Sequence, residues 1–251
     1  MSPADHHAEE RSAVDAASGA ADKRGFVQAM FTNIAPRYDL LNHLLSFNID
    51  RGWRRRAIAA LEVERVSAGT YLDLCAGTLD VAVELARQPG FTGWVLGADF
   101  AEAMLRAGRG KATGRAVFGV AADALALPIA SGSCDGAIVA FGMRNLANLD
   151  AGLREVARVV KSGGRFVILE FTTPPNAFVR AGYGFYSNRL LPLIGGLISG
   201  NRGAYRYLPE SIARFPSVED LGQRLGAAGF QSVRWELLTL GTVAIHVGTR
   251  A

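Results

Sequence analysis

Between Gly69 and Phe171 the chain alternates short runs of branched apolar residues with amphipathic segments. The apolar runs are "TYLDLC", "GWVLGAD", "AVFGVAAD", "CDGAIVAFG" and "GGRFVILEF"; "VAVELARQ", "AEAMLRAGR" and "DAGLREVARVV" lie between them. A strand that is apolar on both faces has to be covered on both, and helices interleaved in the sequence supply that cover. The pattern predicts a parallel sheet with helices on each side, a doubly wound, Rossmann-like α/β domain. "SVEDLGQRLGAAGF" then predicts one more helix. Two closely spaced runs, "SVRWELL" and "GTVAIHVG", predict an antiparallel hairpin at the sheet edge.

The flanking text has a different rhythm. From Phe26 to Leu61, Met30, Phe31, Ile34, Leu40, Leu41, Leu44 and Leu45 fall at helical spacings, and Pro36 divides the stretch into separate helices. Residues 23–65 therefore read as an N-terminal helical cap. Residues 174–207 interrupt the alternation with an aromatic insertion containing glycine and proline. Residues 1–22 are polar and alanine-rich and read as a disordered tail, which leaves 23–251 as a single domain.

Composition narrows the function. With 49% hydrophobic and 20% charged residues there is material for a full core. The net charge of +4 allows attraction to an anionic membrane surface, but no basic tract alternates with aromatics, so nucleic acid is not expected. The basic cluster "RGWRRR", Arg51 to Arg56, reads either as a solvated helix face or as a surface touching phosphates or lipid headgroups. Cys75 and Cys134 lack CxxC spacing and the four histidines are scattered, so no metal site is expected. No apolar run is long enough to span a membrane, and no secretory leader is evident, which suggests a cytoplasmic protein.

In an open parallel sheet, ligands bind beyond the carboxyl ends of the strands, and the first strand-to-helix turn carries the anionic group. Here that turn lies within "YLDLCAGTLD" and keeps only one glycine, Gly77. Asp73 precedes it on the strand. Asp99 closes the second strand, where an acidic side chain can take both hydroxyls of a ribose, and Asp123 closes the third, followed by Ala124, where an adenine edge can be read. Each aspartate taken singly also reads as a helix cap.

This layout resembles class I methyltransferases that use S-adenosylmethionine. "YDLLNHLLSFNIDRGW", "AFGMRNLANLDAGLREVARVVKSGGRFVILEF", "FYSNRLLPLIGGLI", "YRYLPESIARFP" and "AGFQSVRWELLTLGTVAIHVG" are similar to the signatures of one family. That family methylates demethylmenaquinone and the polyprenyl benzoquinol precursors of ubiquinone. The chain departs from its pattern at Leu79 (usually glycine), Asp50 (histidine), Ser162 (proline) and Ala140 (serine).

The resemblance implies carbon methylation of a prenylated quinol. Asp73, Gly77, Thr78, Asp99, Asp123, Ala124 and Ala140 would be the cofactor residues, with backbone amides and Thr78 holding the methionyl carboxylate. Arg144 is expected to pair with the phenolate, Asn145 to orient the ring oxygen and Tyr38 to close over the ring. Asp39 is a second closing residue, and His43 a candidate base or a structural histidine. "LLPLIGGLIS", Leu190 to Ser199, reads as a core helix or as a groove for the isoprenoid tail at the membrane surface. The expected location is the inner face of the cell membrane, held peripherally, with a homodimer allowed. Two other readings stand beside this one, methylation of a soluble aromatic metabolite and a non-catalytic subunit of quinone biosynthesis.

Overall fold

The structure, a computed structural model, describes residues 12–19, 22–39, 46, 48–186 and 202–251. Its centre is one seven-stranded sheet: β1 Thr70–Leu74, β2 Trp94–Asp99, β3 Val117–Ala121, β4 Cys134–Ala140, β5 Val160–Phe171, β6 Phe230–Leu238 and β7 Val243–Arg250. The order across the sheet is β3-β2-β1-β4-β5-β7-β6. Strands β1 to β5 run parallel, whereas β7 is antiparallel to both β5 and β6. The expected hairpin is therefore present, with β6 at the edge. The order reverses between β1 and β4, and the crevice beyond their carboxyl ends is where such a sheet takes ligands.

Around the sheet stand helices α1 Lys23–Ile34, α2 Asp50–Leu61, α3 Asp80–Leu85, α4 Glu102–Gly108, α5 Leu149–Val159, α6 Ala177–Phe185, α7 Arg202–Ala213 and α8 Val218–Ala227. Side chains alternate across a strand. Tyr71, Ile138 and Val167 thus pack with Ile58 and Leu61 of α2 and with Val81, Ala82, Val83 and Leu85 of α3. Leu72, Leu74, Val139 and Ile168 pack on the other face with Leu153 and Val156 of α5 and Leu221 and Leu225 of α8. Asn148 starts α5 by accepting from the Ala151 amide, and Ser217 starts α8 by accepting from the Asp220 amide. Leu153, Val156 and Ala157 fall on one face of α5, and full burial of a leucine or valine contributes about 2 kcal/mol.

Residues 12–18, expected to be disordered, are helical instead. Ala13, Ala16 and Ala17 form a stripe of small side chains buried against Val27, Met30 and Tyr207. Their spacing lets a short helix lie close to α1 and α7. Pro36 stands in a 3-10 turn, Ala35–Arg37, that ends α1, as the sequence implied. His43 and the apolar stretch 190–199 lie outside the described residues.

Candidate active site

Strand β1 runs out at Leu74 into a turn with three residues in the left-handed region: Cys75 (φ 54°), Gly77 (φ 53°) and Leu79 (φ 66°). That conformation costs a residue with a side chain about 1–2 kcal/mol. Leu79 offsets it by burial, being only 2% exposed and packed in the core. Room for it comes from Gly97 on β2, where an added Cβ would stand 2.4 Å from Leu79 Cδ2. The turn thus keeps its shape without its usual third glycine. A Cβ on Gly77 would meet Met104 Cε at 3.4 Å and Tyr38 Cε1 at 3.8 Å, so Tyr38 does lie over the turn.

The three aspartates are held by backbone amides. Asp73 is 1% exposed and its Oδ2 accepts from Ala82 N at 2.9 Å, joining β1 to the start of α3. Burial pushes its carboxyl up to about 8, against the pull of that amide and of Arg54. Asp99 accepts from Gly77 N at 2.9 Å through Oδ2 and from Ala101 N at 2.8 Å through Oδ1. Each oxygen keeps a second lone pair, which is what a ribose diol would need. Burial raises the Asp99 carboxyl as well, with the two amides opposing. Asp123 accepts from Leu125 N at 2.9 Å and pairs with Arg24 of α1 at 3.0 Å. Ala124 packs partly buried beside it.

Charged side chains fasten the N-terminal cap over this turn. The Thr78 hydroxyl donates to Asp39 at 2.6 Å, so Thr78 ties down the cap and does not present a free hydroxyl. Lys111 bridges Asp39 and Asp80, and Arg54 of α2 bridges Asp80 at 2.9 Å and Asp50 at 3.5 Å. Burial would raise the Asp80 carboxyl, but Lys111 and Arg54 outweigh it and hold it below the ordinary range. Asp50, in the place of the usual histidine, is 3% exposed and accepts from the Ser46 hydroxyl at 2.7 Å. The basic cluster therefore has two sides. Arg54 turns inward and Arg56 pairs with Glu236, while Arg51 and Arg55 remain exposed.

Strand β4 ends at Ala140, and the chain turns at Phe141 (φ 62°) into a 3-10 turn, Met143–Asn145. Arg144 is buried and commits its guanidinium to Glu170 Oε1 at 2.7 Å and to the Phe141 carbonyl. Glu170, 2% exposed near the end of β5, also accepts from Phe171 N at 2.9 Å. Burial would lower the Arg144 pKa, but Glu170 outweighs it, so the guanidinium stays charged. Its carbon stands 5.5 Å from the centre of the Phe171 ring. Lys23 of α1 donates to the Arg144 carbonyl at 2.8 Å, and burial, aided by Arg144, lowers its pKa. Asn145 is 9% exposed, and its side-chain amide donates to the Phe141 carbonyl at 3.4 Å. Burial pushes the phenols of Tyr183 and Tyr207 up to about 12, with Arg144 opposing, so both stay protonated donors.

Sequence reasoning placed Arg144, Asn145 and Tyr38 at this mouth but missed Glu170, Tyr183, Tyr207, Lys23 and Lys111. One signal was available. A lone carboxylate inside an otherwise apolar strand, as in "FVILEF", is costly unless a cation meets it.

The cradle over Gly77 and the spare lone pairs of Asp99 fit a nucleoside carrying an amino-acid group. Among the described residues no cluster of three histidine, cysteine, aspartate or glutamate side chains could hold a metal ion. A model of the ubiE/COQ5 methyltransferase family matches residues 17–250. Demethylmenaquinone methyltransferase of Thermus thermophilus is 53% identical over 224 residues, 88% of this chain and 100% of that one. The ubiquinone/menaquinone biosynthesis C-methyltransferase UbiE of Geobacter sulfurreducens is 42% identical, over 89% and 88%. Among solved structures, an S-adenosylmethionine-dependent methyltransferase of Thermotoga maritima has the same fold, with a TM-score of 0.60 at 19% identity, covering 88% of this chain and 100% of that one.

Proposed function

Because the chain belongs to the ubiE/COQ5 methyltransferase family, we propose that it methylates a ring carbon of a reduced, prenylated quinone, demethylmenaquinol first of all. The observation that carries this reading is the 53% identity along the whole length of a demethylmenaquinone methyltransferase. The name of the Geobacter relative also covers ubiquinone biosynthesis, so a benzoquinol acceptor is the second reading.

Bound S-adenosylmethionine supplies an electrophilic methyl group. Asp99 would take the ribose hydroxyls, Asp123 and Ala124 the base, and the amides around Gly77 the carboxylate. The acceptor carbon becomes nucleophilic when the neighbouring phenol gives its proton to water, and that carbon's own proton leaves to water once the methyl group has replaced it. Arg144, kept charged by Glu170, would neutralise that phenolate in a site shielded from water, where a fixed charge acts most strongly. Asn145 would orient the ring oxygen, and Tyr38 with the cap above it would exclude water.

Contact with a membrane surface belongs to the same proposal. No helix among the described residues is long and apolar enough to cross a membrane. Ile49, Phe178 and Leu240 are nevertheless exposed. They share one neighbourhood: Trp53, four residues after Ile49, donates to Thr239 at 2.8 Å, and Gly241 abuts Pro175 just ahead of Phe178. Arg51, Arg55 and Arg180 stand exposed in the same segments.

The test is turnover of one prenylated demethyl-quinone, oxidised or pre-reduced, carried anaerobically in neutral or anionic vesicles. Methylation is expected only after reduction, and faster on anionic vesicles. Equal rates on both redox forms would sink the phenolate chemistry; equal rates on both vesicle types would remove the membrane contact.

A further inference from the structure

Among the described residues, three polar atoms around the Met143–Asn145 turn are buried with no hydrogen-bond partner: Arg144 Nε, Asn145 Oδ1 and the Tyr207 hydroxyl. Tyr207 belongs to α7, which packs against that turn, and it is 2% exposed. Its ring lies 5.6 Å from that of Phe26 between centroids and belongs to the apolar cluster of Ala13, Ala16, Val27 and Met30. A phenylalanine would fill the same space. The hydroxyl adds nothing to that packing, and a buried, unpaired donor destabilises the fold that carries it. Such a group is expected where its partner arrives with a ligand. The packing of α7 sets the helix carrying Tyr207 directly against the turn that carries Arg144 and Asn145, at the acceptor mouth.

We propose that Tyr207 touches the acceptor, its hydroxyl donating to the ring oxygen across the ring from the one that Arg144 neutralises. This rests on the quinol reading above and extends it. A reduced quinone carries two oxygens, and the pair Arg144 and Asn145 serves one of them. Burial keeps the Tyr207 phenol protonated at neutral pH, so it binds the second oxygen as a neutral donor. A second donor of this kind also fixes which way round the ring enters, and hence which carbon faces the methyl group.

The experiment compares the full chain with Tyr207→Phe on two prenylated naphthalene acceptors, the 1,4-diol and the 1-ol that lacks the far oxygen. Melting temperature and S-adenosylmethionine affinity are measured alongside. The variant should melt at the same temperature or higher and bind the cofactor unchanged. Its kcat/KM should fall about three- to tenfold on the diol and not on the 1-ol. Three outcomes would overturn the proposal: an unchanged kcat/KM on the diol, an equal loss on both acceptors, or a lowered melting temperature showing that the hydroxyl has a structural partner. If the full chain turned over neither acceptor, the proposed activity would fail separately. Binding of the two acceptors to both proteins would still decide on Tyr207, since equal affinities throughout would overturn the contact.

Discussion

The cofactor turn and the acceptor mouth sit a few residues apart at the same end of the sheet, yet they are built on opposite principles. At the turn, Asp73 and Asp99 receive backbone amides, and Thr78, Asp39, Lys111, Asp80 and Arg54 form a continuous chain of partners. The turn is held together by partners that the chain itself supplies. At the mouth, one strong pair, Arg144 with Glu170, stands among polar atoms that have no partner among the described residues. A donor of constant structure can be met by a finished cradle. An acceptor whose charge appears during the reaction is better met by groups held in place but not yet spent.

The contrast is broken most severely at Glu170. Glu170→Leu leaves the Arg144 charge buried without its counter-ion, which costs about 3–5 kcal/mol. A melting temperature close to that of the unaltered protein would mean that Arg144 has another partner and that the mouth is not organised around this pair. At the turn, Asp99→Ala removes the acceptor from two amides, and stability should fall by about 1–3 kcal/mol. Cofactor affinity by calorimetry should fall roughly tenfold in the same variant. Lost affinity with unchanged stability would show that the cradle forms only around its ligand.

The smallest effect concerns pH. The Asp73 carboxyl titrates near 8 in the fold against an ordinary 3.8, so its contribution is fully present below about pH 4 and is lost as pH rises through 8. Asp73→Asn removes that titration. Between pH 7 and pH 9 the unaltered protein should therefore lose about 1.4 kcal/mol more stability than the variant. Parallel denaturation curves at the two pH values would show that Asp73 is charged in the fold.

Much of this molecule was legible in its sequence, and the misses have physical reasons. Continuous apolar strands announced the parallel sheet, and the short gap before "GTVAIHVG" announced the hairpin, because both patterns are local. The aspartates at three strand ends were found for the same reason, since strand ends face one crevice. Glu170, Tyr207 and Lys111 were missed because their meaning lies in partners distant in sequence: Lys111 reaches Asp39, and Tyr207 packs on residues of the first thirty. The alanines of residues 12–18 read as filler, although small side chains are what let that helix lie close to α1 and α7.

The seat of Leu79 beside Gly97 has a consequence for how this turn can be altered. Restoring glycine at position 79 alone would relieve the left-handed backbone but empty a filled space, and a vacated leucine site in a core is rarely able to collapse. Enlarging position 97 alone would drive a Cβ into the leucine side chain. Position 97 is therefore bound to stay small for as long as position 79 carries its leucine. Of the two single changes the milder is the one at the leucine, because a void can be tolerated where an overlap must be pushed apart.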